Sequence, residues 1–380
     1  MALSGPYREH MSVMSRLTEV NWLFVMLILA VAAIGIAVLY SAGGGSFDPW
    51  ASRQISRFAL AIVIMFAAAL VDLRFWLRYA YVVYAIGILM LVAVEITGFE
   101  AKGAERWLYI GFMRVQPSEV MKIALVLALA RYFHKTAAED VRRLSRLIPA
   151  LMIIAVPAVL VLKQPDLGTA GMLLLSGAGM LFIAGVRMRW FVLVGAAGLG
   201  VLPVLWHHLR DYQKARVLTF LDPERDPLGA GYHILQSKIA LGSGGIWGKG
   251  FLQGSQSHLS FIPEKQTDFI FSIFAEEFGM VGAIVLLTLY GLILVYGFAI
   301  AMRSRNQFGR LLALGITLTF FLYVFINMAM VMGLIPVVGV PLPLISYGGT
   351  AMLTLMFGFG LLISVYIHRD ARIGRFQGDD

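Results

Sequence analysis

The chain has 380 residues, of which 59% are hydrophobic and 14% are charged. Soluble domains carry about 25% charged residues, so this composition excludes a water-soluble protein and makes lipid the solvent for most of the chain. Without cysteine it has no disulfides, thiolate metal sites or cysteine nucleophiles, and its net charge of +9 is too scattered between apolar runs to indicate nucleic acid as a partner.

Ten apolar runs are each long enough to cross a bilayer, whose hydrocarbon core needs about 20 helical residues. They lie at 21–41, 56–72, 76–97, 117–133, 148–163, 168–186, 188–206, 266–301, 309–333 and 349–367. The eighth run is too long for a straight crossing, so either its first turns stand above the membrane or it tilts strongly. The first run is too long for a removable signal peptide. The sequence therefore predicts an all-α polytopic membrane protein with a single domain over residues 1–380.

Basic residues in alternate connections, from Arg74 to Arg369, give the orientation. The positive-inside rule places those connections in the cytoplasm. We therefore expect cytoplasmic tails at 1–20 and 368–380, a long outer loop at 207–265 between the seventh and eighth helices, and shorter outer loops at 42–55, 98–116, 164–167 and 334–348. The pieces 235–241 and 251–261 of the long loop are apolar enough to rest on the membrane surface. The glycine-rich second half of this loop lacks the GxxxxGK[ST] pattern of a P-loop.

Charges in the fourth run indicate function, because each costs about 2.5 to 3.5 kcal/mol inside a membrane span. Glu119 and Lys122 are three residues apart and share a helix face. They form an internal ion pair, contact substrate, or do both. If they form a pair, reversing both charges should recover more stability than either single change.

Asp166 lies in the short turn between the fifth and sixth runs. We expect it to cap the sixth helix through the backbone N–H of Gly168 or Thr169. A role in a functional site is the alternative.

Asp268 is the last acid before the apolar residues Phe269 to Phe271, at the start of the eighth run. A carboxylate in such surroundings suits a general base, whereas the alternative makes Thr267 or Asp268 the N-cap of the helix. Glu276 and Glu277 lie two turns deeper, and one of them should face the bundle and find a basic partner.

Prolines and glycines between Pro336 and Thr350, around Ser346 and Tyr347, break helix geometry at membrane depth. Irregular backbone survives there only against protein or a water-filled cavity. The sequence therefore predicts an outward-opening cavity near the tenth run.

The outer connections are more basic than the orientation rule favours. Pairing with neighbouring acids explains part of this excess, and a phosphate-bearing substrate or an anionic lipid headgroup explains the rest. The basic residues are Arg53, Lys102, Arg106, Arg114, Arg210, Lys214, Arg216, Lys238 and Lys249.

In this order, the segments resemble the SEDS family of bacterial cell-wall proteins, named for shape, elongation, division and sporulation. The resemblance covers nearly the whole chain, through Lys102–Trp107, Gln116–Glu119, Gln164–Thr169, Asp222–Glu224, Asp226–His233, Gln236–Lys238, Gly242–Gly245, Thr267–Phe271 and Ser346–Gly349. The chain looks most like the elongation members that maintain rod shape, although Gln266 departs mildly from their usual pattern. The division-type member is the alternative.

The resemblance implies a peptidoglycan glycosyltransferase of the bacterial inner membrane. Such an enzyme polymerises lipid II, a disaccharide-pentapeptide on undecaprenyl diphosphate, into glycan strands. The aspartate that matches Asp268 is essential in that family, and as a base it would accept the proton of the attacking 4-hydroxyl.

Cations would stabilise the departing diphosphate. Our candidates for this role are Arg53, Arg106, Arg114, Lys122 and Arg216. The full set of candidate substrate-binding residues is Arg53, Lys102, Arg106, Arg114, Gln116, Ser118, Glu119, Lys122, Asp166, Arg216, Lys238, Ser346 and Tyr347. We expect no cofactor, with a divalent cation such as Mg²⁺ as the alternative source of positive charge.

The implied partners are lipid II, the growing glycan strand, a class B penicillin-binding protein, the elongation machinery and membrane lipids. A lipid II flippase is the main alternative function, because it would share the composition and the basic outer face. A flippase should carry its essential charges at or below the midplane of the bilayer, whereas Asp268 lies at the outer end of its helix. A scaffold for other wall enzymes would not explain the buried acids.

Overall fold

The structure is a computed structural model that describes residues 12–97, 99–101, 104–110, 113–136, 139–208, 211–222, 230–254, 266–371 and 373–374. Its α-helices are α1 (Val13–Thr18), α2 (Trp22–Ala42), α3 (Ala51–Leu70), α4 (Leu73–Thr97), α5 (Pro117–Lys135), α6 (Leu144–Lys163), α7 (Leu167–Ile183), α8 (Met188–His208), α9 (Asp211–Leu221), α10 (Ala230–Ser243), α11 (Ile270–Arg303), α12 (Gln307–Val331) and α13 (Gly349–Ile367). Its strands are β1 (Phe99–Ala101), β2 (Ala104–Ile110) and β3 (Met113–Val115), and a short 3₁₀ helix covers Asp140–Arg142. Helices α2 to α8 and α11 to α13 coincide with the ten predicted runs, so the predicted polytopic helical bundle is confirmed.

The helices are apolar enough to make the chain a multi-pass membrane protein. By length and composition, seven helices of the described part can cross a membrane, namely α2, α3, α4, α6, α11, α12 and α13. Helix α7 and residues 188–200 of α8 are apolar but shorter. Residues 192–200 of α8 are exposed, as expected for a helix that faces lipid instead of protein.

Helix α5 is enclosed by the other helices although it carries Glu119, Lys122, Arg131 and Lys135. It packs against α4, α6, α7, α12 and α13, and every residue from 121 to 130 is buried. The charges of this helix therefore mark a central position in the bundle, where protein groups and not lipid must satisfy them.

The segment before α5 forms a small antiparallel sheet in the order β1-β2-β3. Leu108 pairs with Val115 and Tyr109 with Arg114. The sequence analysis placed this segment in an irregular outer loop and missed the strands, which are too short for a clear alternating pattern. Strand β2 packs on α4 and α5, so the sheet covers one end of the bundle.

The long connection between α8 and α11 contains two helices, α9 and α10, which the sequence analysis did not predict. The apolar piece 235–241, expected to rest on the membrane surface, lies in α10 and packs against α11. Ser237 fixes this contact, because its hydroxyl lies 2.7 Å from that of Ser272 and donates to the carbonyl of Val331 at 2.8 Å. The second such piece, 251–261, lies mostly outside the described residues.

Helix α11 is broken at Gly279, whose φ of 63° and ψ of −161° are not helical. The break exposes backbone groups that lipid cannot satisfy, and segment 244–250 satisfies them. Two of its N–H groups donate to the carbonyls of residues 276–277, and two of its carbonyls accept from the N–H groups of residues 280–281, at 3.0 to 3.1 Å. The eighth run therefore forms a long helix with a kink, which the sequence analysis did not predict.

Gly279→Ala should destabilise the protein, because its backbone occupies a region open essentially to glycine, at a cost of about 1 to 3 kcal/mol for other residues. A Cβ there would also lie 2.3 Å from the N of Gly248 and 2.6 Å from the O of Ile246. Thermal unfolding of the detergent-solubilised protein should show a midpoint several degrees lower than that of the wild type.

Gly291→Ala is the matched control in the same helix, since a Cβ at Gly291 meets no atom within 4 Å. It should be neutral or stabilise by up to about 1 kcal/mol, the helix propensity of alanine over glycine. Equal midpoints for the two variants would contradict the role assigned to the kink at Gly279.

Residues 332–348 join α12 to α13 without regular structure, and we call them the 332–348 loop. The loop packs closely on α2, because a Cβ at Gly35 would lie 2.5 Å from the carbonyl oxygen of Leu344. Tyr290 of α11 donates its hydroxyl to the carbonyl of Pro343 at 2.7 Å. The sequence analysis expected this irregular backbone to lie against protein or a water-filled cavity, and the loop packs against protein.

Candidate functional site

Asp268 lies in a turn just before α11, and the backbone of this turn is anchored by the loop that precedes α13. The carbonyl of Gln266 accepts a hydrogen bond from the N–H of Tyr347 at 2.8 Å. The carbonyl of Thr267 accepts one from the hydroxyl of Ser346 at 2.6 Å. The structure thus brings the predicted base together with two predicted substrate-binding residues.

The carbonyl of Asp268 itself is held by Asn327 of α12, a residue that the sequence analysis missed. Its Nδ2 donates to the carbonyls of Asp268 and Val340 at 2.8 and 2.6 Å. Gly339, with a φ of +74°, approaches the carboxylate, because a Cβ there would lie 3.5 Å from Oδ2 of Asp268. Asp268 is half-buried, so it stays partly accessible from outside the protein.

The alternative role of this segment as a helix cap is wrong. Phe269, and neither Thr267 nor Asp268, is the N-cap of α11, and it makes no side-chain capping bond. The helix begins only after the anchored turn ends.

Two residues of α3 complete this part of the site, and neither was predicted. Gln54 is buried and donates from Nε2 to the carbonyl of Ser346 at 3.1 Å. The guanidinium of Arg57 lies 4.6 Å from the ring centroid of Tyr347. Arg57 could have been predicted from the sequence, because it lies four residues after the candidate Arg53 and shares a helix face with it. Arg53 itself is exposed.

Asp166 caps α7, as predicted. Its Oδ1 accepts from the N–H of Thr169 at 3.1 Å, and the hydroxyl of Thr169 donates to Oδ2 at 3.0 Å. The same carboxylate faces two other candidates, since Oδ2 lies 3.8 Å from Nη1 of Arg106 and 3.5 Å from Nε2 of Gln116. Arg106 also donates from Nε to the carbonyl of Gln164 at 3.2 Å. Capping and contact with the site therefore coexist.

Arg114 and Gln116 connect the sheet to α5 and lie against the start of α13. The hydroxyl of Thr350 donates to the carbonyl of Arg114 at 3.1 Å and lies 3.4 Å from the N–H of Gln116. The exposed guanidinium of Arg114 lies 5.2 Å from the ring centroid of Tyr109. Ser118, in the first turn of α5, is buried.

Glu119 and Lys122 form the predicted ion pair, with Nζ of Lys122 at 2.7 Å from Oε1 of Glu119. Tyr323 of α12 completes it. Lys122 donates to the hydroxyl of Tyr323 at 2.6 Å, and that hydroxyl donates to Oε2 of Glu119. Lys122 is 1% exposed, so it is not available to a diphosphate and supports the site from within the bundle.

Glu276 and Glu277 are both buried in α11. Glu276 forms a salt bridge with Lys249, at 2.6 Å between Nζ and Oε1, which confirms the predicted basic partner. Glu277 accepts from the hydroxyl of Ser41 in α2. The excess of outer positive charge is thus partly used within the protein.

The remaining candidates are not brought to this cluster by any contact of the described residues. Lys238 is exposed on α10, and its Nζ would lie 2.9 Å from a Cβ at Gly333. Arg216 lies in α9, and Lys102 lies outside the described residues. The roles of Arg53, Lys102, Arg216 and Lys238 stay predictions.

The 332–348 loop connects the parts of the site. Its Val338 carbonyl contacts the first turn of α7, because a Cβ at Gly168 would lie 2.3 Å from that oxygen. Tyr323 and loop residues including Pro341 line a narrow cavity. One loop therefore touches the turn of Asp268, the start of α7 and the partner of Lys122.

A wider groove lies beside α13, with a volume of about 290 Å³. Helices α4, α5 and α13 and strand β3 line it through Val83, Val115, Val120, Ile123, Ala124, Thr350, Leu353, Thr354 and Phe357. The lining is apolar apart from two threonines, so the groove suits a hydrocarbon chain better than a sugar.

Among the described residues, no group of three or more His, Asp and Glu side chains could hold a metal ion. Mg²⁺ commonly binds through one or two carboxylates together with the phosphates of a substrate. A divalent cation at the site therefore stays a prediction.

Comparisons with known proteins agree with this architecture. Residues 20–371 match the sequence model of the family described as cell cycle protein, which groups FtsW, RodA and SpoVE. The chain is 46% identical to the peptidoglycan glycosyltransferase MrdB of Escherichia coli (strain K12) over 349 residues, which are 91% of this chain and 93% of MrdB.

Two solved structures are similar over nearly their whole length. One is a chain from a peptidoglycan synthase complex that coordinates polymerization and crosslinking, with a TM-score of 0.79, 32% identity, and coverage of 92% of this chain and 98% of that chain. The other is the rod shape determining protein RodA of Thermus thermophilus, with a TM-score of 0.70, 28% identity, and coverage of 93% and 98%. From its sequence match, its helical bundle and its motifs, this chain belongs to the SEDS family.

Proposed function

We propose that this SEDS-family peptidoglycan glycosyltransferase polymerises lipid II for cell elongation and rod shape, with Asp268 as its general base. The observation that carries the proposal is the anchored turn, in which the backbone carbonyls of residues 266, 267 and 268 each accept a hydrogen bond from the surrounding protein. A general base must be held within hydrogen-bond reach of the proton it takes, and this turn provides that rigidity for a half-buried carboxylate.

In the proposed reaction, the 4-hydroxyl of the acceptor sugar attacks the anomeric carbon of the donor. The hydroxyl proton passes to the carboxylate of Asp268, a new glycosidic bond forms, and the bond to the diphosphate breaks with inversion at the anomeric carbon. The diphosphate leaves with the bonding electron pair, and a later release of the proton to water returns Asp268 to its ionised form.

Arginines at the same end of the bundle would stabilise the charge that develops on the diphosphate. Arg57 has no carboxylate within salt-bridge distance among the described residues, and its guanidinium lies over the ring of Tyr347. Arg114 is exposed beside the apolar groove. Arg106 reaches the turn before α7. Planar guanidinium groups suit this task because they bind two phosphate oxygens at once.

The groove beside α13 would take part of the undecaprenyl chain. Its upper lining includes Val115 and Thr350, which adjoin Arg114 and Gln116. A hydrocarbon chain in the groove would therefore place a diphosphate near the basic residues of the connecting segment, as a membrane-bound substrate requires.

The proposed setting is the bacterial inner membrane, with both termini in the cytoplasm and the turn of Asp268 outside. The similarity to a chain of a peptidoglycan synthase complex supports a class B penicillin-binding protein as partner and work within the elongation machinery. A single domain over residues 1–380 fits the continuous packing of the bundle around α5.

The test is polymer formation from labelled lipid II by the purified protein, alone and with its transpeptidase partner. We expect glycan strands, visible as a ladder on a gel. A lipid II flippase, the alternative, would move labelled lipid II across proteoliposomes without forming strands. Transport without polymer under both conditions would overturn the proposal.

A further inference from the structure

Asn327 is a polar residue near the C-terminal end of the apolar helix α12, and both of its strong contacts are distant in sequence. It is fully buried. Its amide nitrogen bridges the carbonyls of Asp268 and Val340, which lie 59 and 13 residues away. A buried amide inside a membrane protein is retained where its hydrogen bonds hold segments together, and here one of those segments carries the proposed base.

We propose that Asn327 is a positioning residue that sets the place of the Asp268 carboxylate, an inference that rests on the proposed function. Its bridge ties the peptide of Asp268 to that of Val340, the neighbour of Gly339. Gly339 in turn lies against Oδ2 of Asp268. The amide of Asn327 therefore fixes the distance between the backbone of Asp268 and the backbone of residues 339–340, which lies against the carboxylate of Asp268.

The other two anchors of the turn cannot replace this bridge. Tyr347 and Ser346 hold the carbonyls of Gln266 and Thr267, two residues and one residue before Asp268, and both belong to irregular backbone. The Asn327 bond links the turn directly to the transmembrane helix α12.

That helix is itself immobilised one turn earlier. Tyr323, four residues before Asn327 on the same face of α12, is bonded to the buried pair of Glu119 and Lys122. The position of Asp268 is therefore fixed relative to the packed centre of the bundle. A displacement of the base of about 1 Å could cost on the order of 100-fold in rate.

The experiment compares Asn327→Leu with the wild type in the lipid II polymerisation assay. Leucine keeps a similar volume and removes both hydrogen bonds. We expect kcat to fall by about 10- to 100-fold while KM stays within about threefold, because substrate binding is preserved and only the transition-state geometry is lost. Asn327→Ser introduces a smaller side chain that cannot reach both carbonyls. It should likewise lower kcat with little change in KM.

Thr319→Val is the matched control, since Thr319 is equally buried in α12 and its hydroxyl bonds only within the helix, to the carbonyl of Gly315 at 2.9 Å. It should keep the kcat of the wild type. If both Asn327 variants keep it as well, the inference is overturned.

The double variant Asn327→Leu with Asp268→Asn separates positioning from general destabilisation. If Asn327 acts through Asp268, the double variant should be no slower than Asp268→Asn alone, because groups that act as a unit are not additive. Multiplied losses would overturn the inference. A wild-type complex that makes no polymer would instead overturn the proposed function, so the two failures are distinguishable.

Discussion

Asp268→Asn is expected to reduce glycan polymerisation by about 10²- to 10⁴-fold, the usual contribution of a positioned general base. The substitution keeps the shape of the side chain and removes its ability to take up the proton of the attacking hydroxyl. The turn that carries it should stay intact, because its anchors bind the backbone carbonyls and not the carboxylate. The measurement is the rate of strand formation from labelled lipid II, with the unfolding midpoint recorded in parallel.

Glu95→Gln provides the matched control for this loss. Glu95 is an exposed acid at the end of α4, and its carboxylate lies 3.9 Å from Nζ of Lys163. Exposed ion pairs of this kind contribute about 0 to 1 kcal/mol, so the variant should polymerise at the wild-type rate. If Asp268→Asn also did so, Asp268 would not be the base, and the anchored turn would need another explanation.

Much of the fold could be predicted from the sequence, because long hydrophobic runs directly indicate helices that cross a bilayer. Each of the ten predicted runs is a helix, and the irregular 332–348 loop, the cap at Asp166 and the pairing of Glu119 with Lys122 were predicted as well. These features depend on residues close together in the chain, so their composition and spacing carry the signal.

The parts that could not be predicted depend on contacts between distant segments. The kink at Gly279 is stable because segment 244–250 bonds to it, and glycine at that position in an apolar run gives no sign of this partner. The short strands before α5 are likewise defined by pairing and not by pattern.

The candidate site shows the same division. Asp268 and Ser346 lie in recognisable motifs, whereas Gln54, Arg57 and Asn327 lie outside the motifs that the sequence analysis identified. Their partners lie 292, 290 and 59 residues away, for the contacts of Gln54 with Ser346, Arg57 with Tyr347 and Asn327 with Asp268. Asn327 is a polar residue within a membrane span and Arg57 shares a helix face with Arg53, but without the fold neither signal reveals the partner.

Breaking the buried pair of Glu119 and Lys122 should have the largest effect on stability among the changes considered. Lys122→Glu would place two carboxylates together at a site where Lys122 is 1% and Glu119 is 4% exposed. Removal of one partner from a buried ion pair costs about 3 to 5 kcal/mol, because the remaining charge is left uncompensated. We expect a large fall in the thermal unfolding midpoint for Lys122→Glu and for Glu119→Lys.

The double variant Glu119→Lys with Lys122→Glu should recover part of this loss. The reversed charges remain three residues apart on one helix face, and the hydroxyl of Tyr323 can still donate to a carboxylate and accept from an ammonium group. A coupling energy of about 0.5 to 3 kcal/mol is expected for groups in contact.

Ser176→Ala is the control for this cycle. Ser176 is buried in α7, and its hydroxyl has no hydrogen-bond partner within the part of the chain that the structure describes. Its loss should leave the unfolding midpoint nearly unchanged or raise it, because no hydrogen bond is broken. If the double charge reversal were no more stable than the single reversals, Glu119 and Lys122 would not stabilise each other. Tyr323 and the surrounding helices would then satisfy each charge separately.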